Sequence, residues 1–267
     1  MFLEKLLALL TALFLAVWLG VGLVQWSAVT GGATQLPVAA RGAIDKGSAR
    51  QEIEAAIASA PEYARYFARL RETFTADYET ALEGFAARYA KTRERQSVDY
   101  YLAETMRQMR QTHGLLAAKA DKDPLTKQFV SQLEVLRALG QEDKKTCVAF
   151  LYGATDLDFQ NFAAARRVLV SDMALAGLEA MISGQQRQIE REKPSATDFR
   201  VLEVALSDHG LGRQEIDALL DGKIAEPPLD DARMCAAGQT YLEVLHTLPE
   251  AARMRIYALS VQLMAKS

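Results

Sequence analysis

The chain has 267 residues, half of them hydrophobic and 24% charged, with a formal net charge of −3. That near-balance excludes the basic footprint of a nucleic-acid binder and offers no broad attraction to an anionic membrane surface. Two cysteines and three histidines leave little material for a thiolate or imidazole metal centre.

The chain opens on an apolar run. Leu6 to Val24 spans 19 residues without a charge, about 28 Å as a helix and close to one bilayer core. Cleaved signal peptides carry shorter apolar regions, followed closely by a small-x-small site. Here the run ends at Gln25 and the interfacial residue Trp26. The nearest cleavage candidates, Ala28-Val29-Thr30 and Gly31-Gly32-Ala33, lie some distance further on. Residues 6–24 therefore read as a retained transmembrane anchor, with a cleaved signal peptide and a soluble periplasmic protein as the alternative. No cysteine lies nearby to carry a lipid.

Lys5, partly offset by Glu4, precedes the run, and Gln25 to Ala40 carries no charge before Arg41. The distribution of Lys and Arg makes residues 1–5 a cytoplasmic tail. The expectation is a single-pass inner-membrane protein with its C-terminal domain in the periplasm; the reverse topology is the runner-up. Residues 25–47, with Gly31, Gly32, Pro37, Gly42 and Gly47, read as a flexible linker. Glycine and proline breaks transmit a twist or piston motion poorly, so the span reads as an anchor rather than a transducer.

Residues 48–267 read as an extramembrane helical domain, large enough for a core of its own. Ser48 is expected to cap a short helix ending before Pro61, a residue suited to a first turn. Tyr63, Phe67, Leu70, Phe74, Tyr78, Phe85 and Tyr89 recur at helical spacing, which predicts one helix of more than seven turns. Ser97 caps the next, with Leu102, Met106, Met109, His113 and Leu116 on one stripe. Asp121 to Pro124 precedes another helix, expected to stop at Gly140.

A short apolar segment around Cys147 ends at Gly153. Asp156 or Asp158 is expected to cap one helix running from Phe159 to Met181, beyond which Ser183 to Ser195 is polar. Thr197 is the expected cap of a helix closed by Gly210. Gln214–Leu220 is closed by Gly222, Ala232–His246 opens behind Asp230-Asp231, and Pro249 begins the last helix. No alternating strand pattern and no repeat period occurs. The fold class is all-α: an irregular multi-helix bundle with an N-terminal transmembrane helix.

Few residues suggest chemistry. Cys147 and Cys235 form an even pair without a Cys-x-x-Cys spacing, so a structural disulfide is preferred to redox catalysis. Glu243 and His246 share a helical face, as in di-iron carboxylate bundles, but a second Glu-x-x-His pair is missing. His113 lies on an apolar stripe and reads as a core-edge histidine. These three are the weak polar-site candidates. Nine of the nineteen Phe and Tyr residues fall between Tyr63 and Tyr101. They read first as a packing spine, and second as an aromatic groove of Tyr63, Phe67, Phe74, Tyr78, Phe85 and Tyr89 that could take an apolar ligand or a helix.

No nucleophile elbow, phosphate loop or paired catalytic carboxylate can be singled out, and no cofactor, metal or catalytic residue is expected. The layout of one span, a Gly/Pro tether and a helical body resembles that of many bacterial envelope proteins, a likeness of arrangement that transfers no site. The leading expectation is a membrane-tethered protein-interaction or scaffold module on the periplasmic face, held to the membrane by its N-terminal helix and binding a protein partner rather than nucleic acid. An envelope enzyme with an unrecognised helical active site, or a carrier of an apolar ligand, is the alternative.

Overall fold

In the computed structural model, residues 45–222 and 226–266 are described. The expected anchor at 6–24 and almost all of the expected linker fall outside them, and among the described residues no helix is long and apolar enough to cross a membrane. The described chain is all-helical, without strands. Its helices are α1 Lys46–Ala58, α2 Pro61–Thr73, α3 Thr75–Thr92, α4 Val98–Ala117, α5 Lys122–Glu142 and α6 Lys144–Leu151. There follow α7 Leu157–Ala165, α8 Arg167–Arg187, α9 Ala196–Asp208, α10 Arg213–Asp221, α11 Asp231–Thr247 and α12 Glu250–Met264.

α8 organises the domain. Val170, Met173, Ala174, Ala176, Leu178, Ala180, Met181 and Ile182 are buried on more than one of its faces, the pattern of a helix surrounded by others. It packs most extensively against α5, α4 and α2. Small side chains let it come close: a Cβ at Gly184 would collide with the Leu116 carbonyl at the end of α4. α1 to α3 pack on one another beside α2's contact with α8, while α11 closes over α5 and α6 and carries α9 and α10.

The structure departs from the sequence expectations at junctions. The helix expected to run unbroken through the aromatic stripe is two helices, separated at Phe74 with φ −120° and ψ 57°. Phe74 is buried and its ring lies 4.6 Å from that of His113. Burying this ring and folding α3 back onto α1 outweigh the backbone hydrogen bonds a straight helix would have kept. The helix expected from Phe159 to Met181 likewise divides at Arg166 (φ −132°), whose side chain pairs with Glu142.

Gly140 does not stop α5, which runs on to Glu142. It is a contact glycine instead: a Cβ there would strike the Gln239 amide and come within 2.9 Å of Cys235 Sγ. α8 continues to Arg187 before Gln188 turns left-handed at φ 50°. Caps also move. Asp45, not Ser48, accepts from Gly47 N and Ser48 N at 2.7 and 3.0 Å. Ser195, not Thr197, forms a capping box with Asp198.

Two glycine substitutions separate propensity from packing. Gly84 lies mid-helix with open space where a Cβ would go, so Gly84→Ala should stabilise the domain by about 0.5–1 kcal/mol. Gly184→Ala should cost about 3 kcal/mol or more, because the obstacle is backbone. Denaturation midpoints of the two variants check both directions.

Candidate functional site

The covalent centre of the domain lies where α5, α6 and α11 meet. Cys147 of α6 and Cys235 of α11 are joined in a disulfide with a Cα–Cα distance of 5.7 Å, and both residues are fully buried. Two glycines make the junction tight. Gly140 of α5 receives Gln239, and Gly238 of α11 faces Leu151 of α6, whose Cδ2 would be 2.6 Å from an added Cβ.

Above this junction opens a recess of about 350 Å³ lined by Arg137, Gly140, Gln141, Lys144, Ala236 and Gln239. Its cations are engaged: Arg137 donates to Glu243 Oε1 at 2.7 Å, and Lys144 Nζ donates to the Gly140 carbonyl. A second recess of about 340 Å³, lined by Glu142, Asp143, Thr146, Asp158, Asn161 and Phe162, opens by α7. Asp143 there caps α6, and Glu142 is paired with Arg166. These groups can bind and orient a polar surface; the Thr146 hydroxyl donates to Asp143 Oδ2 at 2.5 Å, within the cap of α6.

The sequence-predicted candidates do not converge. Glu243 turns to Arg137, while His246 is exposed and contributes its backbone carbonyl, which accepts from Arg253 Nη1 at 2.6 Å. His113 Nε2 lies 2.9 Å from Asp77 Oδ2, more than a helix away in sequence from that pair. Among the described residues no group of His, Cys, Asp and Glu could hold a metal ion.

Tyr63, Phe67, Phe74, Tyr78, Phe85 and Tyr89 are all buried, and none of them lines either recess. They pack on neighbouring rings and polar groups: Phe85 lies 4.9 Å from Tyr101, and Tyr89 Oη donates to Glu52 at 2.9 Å.

Three buried carboxylates carry the strongest electrostatics, and sequence reading singled out none of them. Asp99, 2% exposed, accepts two hydrogen bonds from Arg167 at 3.0 Å each and one from the Tyr63 hydroxyl at 2.7 Å. Burial pushes its carboxyl up, but Arg167 and Tyr63 outweigh that and hold it below the usual range. The same burial, with Asp99 as acceptor, pushes the Tyr63 phenol well up.

Asp198 accepts from Arg255 at 2.7 and 3.0 Å and from Ser195 N at 2.7 Å. Arg255 foremost holds it far below its ordinary value. Burial opposes ionisation of Glu215, and Arg233 overcomes it, leaving that carboxyl lowered as well. Ser195-x-x-Asp198 was a readable capping signal; partners 68 and 57 residues away were not. Compared with protein-family models, curated proteins and solved structures, the chain matches none.

Two outcomes follow. Below about pH 4 the unfolded chain takes up protons that these lowered carboxylates refuse. Stability should thus hold above that pH and fall below it. Asp198→Asn should cost about 2 kcal/mol at neutral pH and flatten the acid limb, as measured by denaturant unfolding at several pH values. The disulfide closes a loop of 88 residues, so Cys147→Ser with Cys235→Ser should lose up to about 4.5 kcal/mol. Maleimide should label neither sulfur in denaturant until a reductant is added.

Proposed function

We propose that the chain is a membrane-tethered helical interaction module whose domain lies on the outer face of the inner membrane. The observation that carries this reading is the buried Cys147–Cys235 disulfide in a domain that follows an uncharged 19-residue apolar run. Disulfides of this kind persist on the oxidising side of a membrane, and the run has the length of a bilayer core.

Binding of a protein is supported by large apolar side chains left in water at the α6–α7 turn. Tyr152 and Leu157, 64% and 68% exposed, flank the turn between α6 and α7, and Val168 stands exposed at the start of α8. Apolar groups of this size at a helix junction suit a docking surface. The Gly- and Pro-containing stretch after the run supports a domain free to reach a partner rather than one driven through the membrane.

Membrane extraction tests the tether, and proteolysis tests the side. The full chain should resist alkaline carbonate extraction, and its domain should be digested when protease is added to spheroplasts. A freely soluble product beginning after Ala33, or a domain protected in spheroplasts, would overturn the assignment. Crosslinking in intact membranes should return one reproducible protein partner; repeated failure would remove the interaction module.

A further inference from the structure

Arginines in this domain that are half-buried are generally answered by carboxylates. Arg69 meets Glu179 at 2.8 Å, Arg167 meets Asp99, and Arg255 meets Asp198. Arg191 is answered by carbonyls instead, donating to Ala118 O and Ala120 O at 2.8 and 2.5 Å, and Arg253, whose Nε is also enclosed without an acceptor, donates to the His246 carbonyl at a short 2.6 Å. Arg110 of α4 is different. It is half-buried, its Nε is enclosed without an acceptor, and among the described residues its one hydrogen bond runs from Nη2 to the Gly153 carbonyl at a long 3.3 Å.

The neighbouring charge acting on Arg110 is a second cation, Arg107, which is itself engaged by Glu104 at 2.5 and 2.9 Å. Burial and that like charge push the Arg110 guanidinium down. A guanidinium carries five donors in a planar fork. Leaving a buried charge unanswered is costly, and native structures rarely retain one without a use.

The surroundings indicate the use. Arg110 lies under the α6–α7 turn, where Gly153 adopts φ +89° and a Cβ would stand 3.6 Å from Nη1. Tyr152 and Leu157, the exposed residues of the interaction surface, border the same turn. We propose that Arg110 is the recognition site for a partner protein's acidic side chain, whose carboxylate completes the guanidinium fork while adjacent apolar groups of the partner cover Tyr152 and Leu157.

A carboxylate is favoured over a phosphate because one unengaged cation matches one negative charge; the second cation is already spent on Glu104. The fork geometry permits two parallel hydrogen bonds to such a group. This proposal rests on the interaction reading above and names the contact that reading lacks.

The test uses the full chain in lipid nanodiscs and its Arg110→Met variant. Removing an unanswered charge should raise the unfolding temperature by about 2–4 °C. N-acetyl-glutamate amide at tens of millimolar should raise that of the wild type, while N-acetyl-glutamine amide at matched ionic strength should not. The glutamate response should vanish in Arg110→Met. A fall in unfolding temperature for Arg110→Met would make the residue a prop for the turn and overturn the proposal. Equal responses to the two amides, or a larger response to inorganic phosphate, would overturn it too.

A photoreactive residue at position 152 separates this claim from the one it rests on. Capture there that is lost in Arg110→Met supports both. Capture through another surface, unaffected by Arg110→Met, keeps the interaction module and rejects this site. A glutamate response without any captured partner rejects the module and the protein occupant together.

Discussion

Burial of α8 on several faces at once is the constraint on which the rest of the domain depends. A helix can be surrounded only if its neighbours come close, and small residues permit that approach at Ala174, Ala176, Ala180 and Gly184. Its polar ends must then be satisfied by other elements. At the N-terminal end Arg167 enters the Asp99–Tyr63 cluster and Ser171 donates to the Glu62 carbonyl. At the C-terminal end Ser183 accepts from Asp121 N at 2.9 Å, and Ile189 N donates to Lys119 O at 3.0 Å. The chain leaving α8 thereby caps α4, with Arg191 closing two further carbonyls. Helix ends that would otherwise be unsatisfied become the fasteners of the bundle.

Around that centre the domain uses two kinds of crosslink. Covalently, Cys147–Cys235 ties α6 to α11 over 88 residues, which restrains the unfolded chain more than it improves the folded one. Electrostatically, Asp99, Asp198 and Glu215 each meet an arginine from another helix. Such buried pairs add specificity more than stability, since desolvation offsets most of their attraction. They fix which helix lies against which, a choice that apolar contacts alone leave loose.

Those fasteners also explain why Arg110 stands apart. Arg69, Arg167 and Arg255 reach carboxylates on other helices, whereas Arg110 faces a turn and finds one weak carbonyl. The turn is bordered by apolar side chains that the bundle leaves in water. Arg110 is thus one of several described residues with an enclosed polar atom left without a partner, and the one that lies beside this exposed turn.

The all-α class, the helix caps at Ser97, Asp156 and Asp230 and the closing glycines Gly210 and Gly222 were legible from local pattern alone. They depend on hydrogen bonds within a few residues, which a sequence states directly. Aromatic spacing from Tyr63 to Tyr89 identified buried positions correctly, yet could not show the break at Phe74, because the ring contact with His113 that accompanies it involves a helix further along the chain. Gly140 read as a stop and serves as a contact, for the same reason: Gln239 and Cys235 reach it from α11. The chain alone determined which segments are helical and which faces are apolar; only packing decided where helices bend, which carboxylate meets which arginine, and that Arg110 is left without one, since these are set by approaches between residues far apart in sequence.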